Sequence, residues 1–226
     1  MFHFTGDTHG VEDRFKLLRT YGEPNWTAAD YLMIGGDFGY IFSNNKRQNV
    51  FLDELEEKPY TICFCDGNHE NFPAIYAYPE EIWNGGRIHR IRKNVIHLMR
   101  GQVYTIDGKK IFTMGGAYSI DKFMRIEGES WWKEELPTNE EYREATRNLK
   151  AHDFKVDYIL THTMPREMIV TRLFKIPDHH DAELTGFLDW INDTVEYQRW
   201  FCGHWHEDRK ITDKIRALYY DVETVS

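Results

Sequence analysis

Positive charge, cysteine and long apolar runs are all scarce in this chain of 226 residues. Lysine and arginine number 28 against 37 acidic residues, so a protein that binds nucleic acid through the phosphate backbone is not expected. The three cysteines are an odd number, which argues against a disulfide framework. Cys63 and Cys65 alternate with apolar residues and are predicted to be buried free thiols, as in a reducing cytoplasm.

The sequence also lacks the segments that direct a chain to or across a membrane. No run of about 18 apolar residues occurs, so no membrane span is expected. The N-terminal segment contains Asp7, Glu12 and Asp13 and no secretory signal pattern, which favours a cytoplasmic location. With 41% hydrophobic residues and no linker or repeat, we expect one domain over residues 1–226.

The N-terminal part predicts three short strands, over residues 2–5, 31–34 and 60–65. A helical pattern formed by Val11, Phe15 and Leu18 follows the first strand. A second helix is predicted over 45–57, with Val50, Phe51 and Leu55 on its buried side. Strand, loop and helix therefore alternate, as in α/β folds.

The remainder predicts further strands over 95–99, 103–106, 110–114, 156–160 and 199–202, with a hairpin turn at Asp107-Gly108. Residues 117–137 resemble a loop that is rich in aromatic and charged side chains. Thr138 and Glu141 form a capping-box pattern for a helix that ends near 152. A loop over 164–181, a helix over 184–191 and edge strands in 210–222 complete the prediction.

Potential metal ligands follow five of the predicted strands. They are Asp7 with His9, Asp37, Asn68 with His69, His162, and His204 with His206. Open α/β sheets carry their sites at strand ends, and alternate residues of an extended chain share one face. Carboxylate and imidazole ligands together suit Mn, Fe, Zn or Ni better than Mg or Ca alone.

The ordered motifs resemble the calcineurin-like metallophosphoesterases over residues 7 to 206. They are Gly6-Asp7-Thr8-His9, Gly36-Asp37, Gly67-Asn68-His69-Glu70, Thr161-His162 and Gly203-His204-Trp205-His206. The resemblance implies an α/β fold, a four-layer sandwich of two mixed β-sheets flanked by helices. It also implies two divalent ions, manganese first, with Fe, Zn or Ni as alternatives. Asp7, His9 and His206 would hold one ion and Asn68, His162 and His204 the other, with Asp37 bridging both.

The same resemblance implies a hydrolase in which a metal-bound hydroxide attacks a phosphomonoester or phosphodiester. His69 would protonate the leaving oxygen or stabilise the transition state. Glu70 or Asp66 would orient His69, since carboxylates often fix a working imidazole.

One departure from the family bears on the substrate. Protein Ser/Thr phosphatases of this superfamily follow the bridging aspartate with an Asp-Arg pair, whereas Phe38, Gly39, Tyr40 and Ile41 stand here. Arg125 is the preferred substitute for that arginine, with Arg87 and Arg166 as alternatives. Phe38 and Tyr40 are predicted to stack on a planar group of the substrate, beside Asn68.

We therefore expect a small or nucleotide-like phosphoester, with a diester slightly favoured. A protein phosphatase and, less expected, a non-catalytic scaffold with this fold remain alternatives, and the oligomeric state is not predicted. The sequence leaves two interpretations of Trp131 and Trp132, either as core residues that pack over the sheet or as a surface that binds the substrate. The segment His179-His180-Asp181 is predicted to be a solvated loop, with a third metal site or a lid as alternatives.

Overall fold

A computed structural model describes residues 1–10, 25–43 and 45–226 of the protein. The helix predicted from Val11, Phe15 and Leu18 lies outside the described residues. Among the described helices, none has the length and apolar character needed to cross a membrane.

The first β-sheet is mixed, and its central strands are parallel. Seven strands of the described chain form it: β1 (Phe2–Thr5), β2 (Tyr31–Ile34), β3 (Thr61–Phe64), β4 (Glu80–Trp83), β5 (Gly86–Arg90), β6 (Val95–Leu98) and β13 (Glu223–Val225). Their order across the sheet is β13-β1-β2-β3-β6-β5-β4. Strands β1, β2, β3 and β6 run parallel, whereas β13, β5 and β4 add antiparallel pairs at the two edges.

The second sheet is also mixed. The described chain contributes six strands to it: β7 (Val103–Ile106), β8 (Lys109–Met114), β9 (Tyr158–Thr161), β10 (Arg199–Cys202), β11 (Arg209–Lys210) and β12 (Ile215–Ala217). The order is β11-β12-β10-β9-β8-β7, with parallel pairs at the centre and one antiparallel pair at each edge.

The two sheets pack face to face through a shared apolar core. Phe4 of β1 stacks on Phe201 of β10 with ring centroids 4.1 Å apart. Met33, Cys63 and Leu160 belong to the same buried cluster. Burial of this apolar surface is the main term that holds the sheets together.

Helices cover the outer faces of both sheets. Helix α1 (Lys46–Glu56) packs on the first sheet through Leu52, and the short α2 (Phe72–Tyr76) adds Ile75 to the same cluster. Helices α3 (Asn139–Ala151) and α4 (Ala182–Thr194) cover the second sheet with buried residues such as Leu149 and Leu188. The predicted four-layer α/β sandwich is therefore confirmed.

Several predicted elements match the structure closely. Asn45 caps α1 by accepting the Gln48 N–H, and Thr138 with Glu141 forms the complete capping box of α3. Asp107-Gly108 turns between β7 and β8 with positive φ at both residues. All three cysteines are buried and free.

Other details of the prediction are wrong. Phe51 and Leu55 pack partly buried against the core, as predicted, but Val50 is 54% exposed, and the buried residues of α1 are Gln48 and Leu52. The segment 164–181 is not a plain loop, since it holds a helical turn Arg166–Met168, a π-helical turn Ile169–Leu173 and a 3₁₀ turn His179–Asp181. The β4–β5 hairpin was not predicted.

Candidate metal centre

Strand register brings the ligand motifs to one edge of the sandwich. Thr5 pairs with Ile34, and Ile34 pairs with Phe64, so the loops carrying Asp7, Asp37 and Asn68 leave the first sheet side by side. In the second sheet Thr161 pairs with Cys202, which aligns the loops carrying His162 and His204.

Asn68, His162 and His204 form one half of the centre. The Asn68 Oδ1 lies 2.9 Å from His162 Nε2 and 3.1 Å from His204 Nδ1. His162 Nδ1 lies 2.7 Å from the Gly35 carbonyl oxygen, an acceptor, so this nitrogen carries a proton. In the neutral tautomer the Nε2 lone pair faces the Asn68 amide oxygen, whereas in the charged ring Nε2 donates to it.

This arrangement fits a cation. Ligand atoms about 2.0–2.2 Å from one ion lie about 3 Å from each other, which is the separation found here. Burial, with a further effect of nearby His162, lowers the pKa of His204 to about 3. A neutral imidazole is the form that binds metal.

Asp7, His9 and His206 form the other half. The Asp7 Oδ2 lies 2.8 Å from His206 Nε2 and 3.6 Å from His9 Nε2. One ligand atom from each of the three residues lies within 4.8 Å of the other two. The second Asp7 oxygen, Oδ1, accepts the N–H of His204 at 2.7 Å, which links this half to the other.

Asp37 lies between the two halves. Its Oδ2 is 3.6 Å from His9 Nε2 and its Oδ1 is 3.6 Å from His162 Nε2. Burial raises the pKa of Asp37, but the rings of His162 and His9 and the N–H of His69 together hold it below its ordinary value. A carboxylate in this position can contact ions on both sides.

Two glycines make room for these ligands. A Cβ at Gly67 would overlap the Asp37 carboxylate, and one at Gly36 would overlap the His162 ring. Gly36 also has a φ of +93°, a conformation open to glycine and costly for other residues. Positive φ angles at four of the candidate ligands, His9, Asp37, His204 and His206, are typical of strain held at functional sites.

His69 lines the cleft beside Asp37. Its backbone N–H donates to Asp37 Oδ1 at 2.8 Å, whereas its buried ring Nδ1 has no hydrogen-bond partner among the residues that the structure describes. Burial lowers the pKa of His69, an effect that the Asp37 carboxylate opposes in part.

Neither carboxylate expected to orient His69 contacts its ring. Glu70 is fully buried and accepts the N–H of Phe38 at 2.7 Å, and burial raises its pKa well above the ordinary value. Asp66 instead bonds to His97 and Arg100. The prediction that Glu70 or Asp66 orients His69 is therefore wrong. Glu70 fixes the loop that carries Asp37.

A cleft of about 820 Å³ opens next to the candidate metal ligands. Among its lining residues are His69, Arg125 and Tyr40, and it extends past Arg47 and Phe51 of α1. Arg125 donates to Asp121 Oδ2 at 2.9 Å and to the Ser130 carbonyl oxygen at 3.0 Å, which fixes its guanidinium group. Arg87 and Arg166 are not among the lining residues.

Phe38 does not face this cleft. It is 1% exposed and stacks on Phe64 at 4.1 Å, so its predicted role in stacking on substrate is wrong. Trp132 is buried against Phe42, as expected of a core plug. Sequence reasoning missed Arg47, because nothing in a helical Lys-Arg-Gln run distinguishes a cleft residue from a solvated one.

A buried polar network supports the loop before Asn68, and it was not predicted from the sequence. His89 Nδ1 lies 3.0 Å from His97 Nδ1, and Asp66 lies 3.2 Å from His97 Nε2 and 2.7 Å from Arg100 Nε. Burial raises the pKa of Asp66, but Arg100 and His97 more than reverse this effect, and the pKa falls to about 2. Burial lowers the pKa of His89 to about 4.

The predicted loop at His179-His180-Asp181 has two parts. The His180 and His179 Nδ1 atoms lie 2.7 and 3.3 Å from Asp178 Oδ1 on an exposed turn, and these three residues form one of the groups that could hold a metal ion. Asp181 is buried and accepts the N–H of Tyr118 at 2.7 Å.

Comparison with known proteins agrees with this geometry. The family model for calcineurin-like phosphoesterases matches residues 1–208, and the chain therefore belongs to that family. No curated protein sequence matches it. The protein is thus a metal-dependent phosphoester hydrolase by class, and the ligand-bearing loops described above all lie within the matched residues.

Proposed function

We propose that this protein is a dinuclear phosphoesterase that hydrolyses a small or nucleotide-like phosphodiester. The observation that carries the proposal is the convergence of His162 Nε2 and His204 Nδ1 on Asn68 Oδ1, at 2.9 and 3.1 Å, as expected of three atoms that bind one cation. Asn68, His162 and His204 would hold one ion. Asp7, His9 and His206 would hold the other, and Asp37 would contact both.

Two divalent ions at this position would supply charge neutralisation on the phosphoryl oxygens and lower the pKa of a water nucleophile. Manganese is the first candidate and Fe, Zn or Ni the alternatives, because the donors are oxygen and imidazole nitrogen. Asp37, anchored by the His69 N–H at 2.8 Å, keeps its carboxylate between the two halves.

His69 is the group that we assign to the leaving oxygen. It lines the cleft, it is held next to Asp37 by its own backbone, and it is not needed as a ligand. Its ring can donate a hydrogen bond or a proton to the oxygen that departs from phosphorus, a role worth about 10²-fold to 10⁴-fold in rate.

The cleft supports a small substrate with a flat or apolar group. Its volume of about 820 Å³ is in the range of small-molecule sites, about 300–1,000 Å³. Arg125 and Arg47 supply positive charge, and Tyr40 and Phe51 supply aromatic surface. A fixed Arg125 close to His69 can contact a non-bridging phosphoryl oxygen.

We further propose that the chain works as a single domain. We also propose that it works in a reducing compartment, the cytoplasm, because its three buried cysteines are free thiols.

The test compares bis(p-nitrophenyl) phosphate, p-nitrophenyl phosphate and a phosphopeptide as substrates of the Mn²⁺-loaded protein. The diester is expected to react fastest, and His69→Ala is expected to lose about 10²-fold in kcat. The matched control is His179→Ala, a histidine whose side chain is 82% exposed on the turn at Asp178.

Faster release of phosphate from the phosphopeptide, abolished by Arg125→Ala, would replace the diesterase by a protein phosphatase. No hydrolysis of any substrate at full metal loading would favour a non-catalytic scaffold. Equal kcat of wild type and His69→Ala would remove His69 from its role.

A further inference from the structure

We infer that Ser119 is a positioning residue that turns the Asn68 amide toward the metal centre. The inference rests on the proposed function. It gives the aromatic-rich segment 117–137 a structural role, which is to hold the serine that orients Asn68.

The contact is direct and buried. The Asn68 Nδ2 donates to the Ser119 hydroxyl at 3.0 Å, and the two residues are 3% and 1% exposed. An amide has one oxygen and one NH₂ group on opposite sides of its carbon. A hydrogen-bond acceptor for the NH₂ group on one side therefore makes the oxygen point to the opposite side. The oxygen then points at His162 Nε2 and His204 Nδ1.

Ser119 is itself held in place by the same segment. Its N–H donates to Glu135 Oε1 at 3.0 Å, and Glu135 is fully buried. Lys122 forms an ion pair with Glu135 at 2.5 Å and lies over the rings of Tyr118 and Trp131, 4.0 and 4.3 Å from their centroids. The segment therefore fixes the serine hydroxyl relative to the two sheets.

Loss of the hydroxyl would release the amide. With alanine at 119, the buried NH₂ group of Asn68 loses this acceptor, and buried donors without partners are costly. A half-turn of the amide would give the NH₂ group new acceptors, the lone pairs of His162 and His204. Those are the lone pairs that a metal ion needs, so the rotated amide competes with the ion.

The experiment is a calorimetric titration of the metal-free full-length protein with Mn²⁺. Wild type is expected to bind two equivalents. In Ser119→Ala one of the two steps is expected to weaken about 10-fold to 100-fold, the usual effect of losing a group that orients a ligand. Ser130→Ala is the matched control, because its hydroxyl is in the same segment and accepts the Ile126 N–H instead.

A double-mutant cycle separates orientation from general damage to the fold. Asn68→Asp replaces the amide by a carboxylate, whose two oxygens are equivalent, so no orienting partner is needed. Ser119→Ala is then expected to change Mn²⁺ affinity by no more than about twofold in the Asn68→Asp background.

Three results would count against these ideas, each against a different part. An equal loss of affinity in both backgrounds would make Ser119 a structural residue and overturn the inference. Unchanged affinity in Ser119→Ala, with two equivalents still bound by wild type, would also overturn the inference and leave the proposed function standing. Fewer than two equivalents bound by wild type would overturn the proposed function itself.

Discussion

Replacing Asp66 by asparagine is expected to destabilise the protein because it removes the nearest carboxylate from the buried Arg100 and leaves it with the more distant Glu141, 3.6 Å from Arg100 Nη1. Asp66 and Arg100 are 1% and 4% exposed, and the Asp66 Oδ2 lies 2.7 Å from Arg100 Nε. Removing one partner of a buried pair costs about 3–5 kcal/mol. Urea unfolding at pH 7 measures this loss.

The pH dependence of that loss gives a sharper test. The pKa of Asp66 is lowered from 3.8 to about 2, so its charge stabilises the folded state above about pH 4 and stops doing so as the pH falls through about 2. This difference in pKa corresponds to about 2 kcal/mol. The gap in stability between wild type and Asp66→Asn is therefore expected to narrow by about that amount between pH 4 and pH 2.

The matched control is Asp53→Asn, which removes the partner of Arg92 in a pair whose aspartate side chain is 63% exposed. Its cost is expected to stay below about 1 kcal/mol. Two results would contradict this explanation. The first is a loss of unfolding free energy in Asp66→Asn as small as the loss in Asp53→Asn, and the second is a loss in Asp66→Asn that stays constant from pH 4 to pH 2.

Three further outcomes are expected. Gly67→Ala places a methyl group in the space of the Asp37 carboxylate. Metal analysis is therefore expected to show fewer than two ions per chain, and kcat is expected to fall about 10²-fold. Two ions per chain and the kcat of wild type would contradict this steric effect. Burial raises the pKa of Asp181 to about 6, so the free energy of unfolding falls as the pH rises from about 4 to 6 and the buried carboxyl becomes charged. Asp181→Asn is expected to raise the free energy of unfolding by up to about 3 kcal/mol at pH 7 and not at all at pH 3.5. An increase that does not depend on pH would argue against this cause. Mn²⁺ at about 100 times its Kd is expected to add about 2.7 kcal/mol per site to the free energy of unfolding, and an unchanged Tm on addition of a chelator would count against metal binding by the folded chain.

The strand ends that carry the candidate ligands were easier to predict than the contacts around them, for a physical reason. Each candidate ligand follows a short apolar strand, and the strand pattern is local, so Asp7, Asp37 and Asn68 could be assigned to strand ends from their neighbours alone. Parallel pairing of the strands then aligned the loops, as Thr5, Ile34 and Phe64 show.

Contacts between distant residues carried no such local signal. Ser119 meets Asn68 across 51 positions, and a lone serine in an irregular segment has no distinguishing pattern. Phe38 next to the bridging aspartate was predicted to face the substrate, but it packs against Phe64, because the turn after β2 returns its side chain to the core.

The β4–β5 hairpin could have been predicted. Asn84-Gly85 joins Trp83 to Gly86, both central residues have positive φ, and Asn-Gly is the strongest short-range signal for such a turn. Recognising it would have defined β4 and β5, whereas the position of His89 opposite His97 depends on the separate pairing of β5 with β6.

Seven side chains from both sheets are proposed to hold a pair of ions, and anomalous diffraction from crystals grown with Mn²⁺ can locate them. We expect two peaks about 3.5–4 Å apart, one contacting Asp7, His9 and His206, the other contacting Asn68, His162 and His204, with Asp37 contacting both. A single peak, or two peaks that share no contact with Asp37, would rule out this pair of ions.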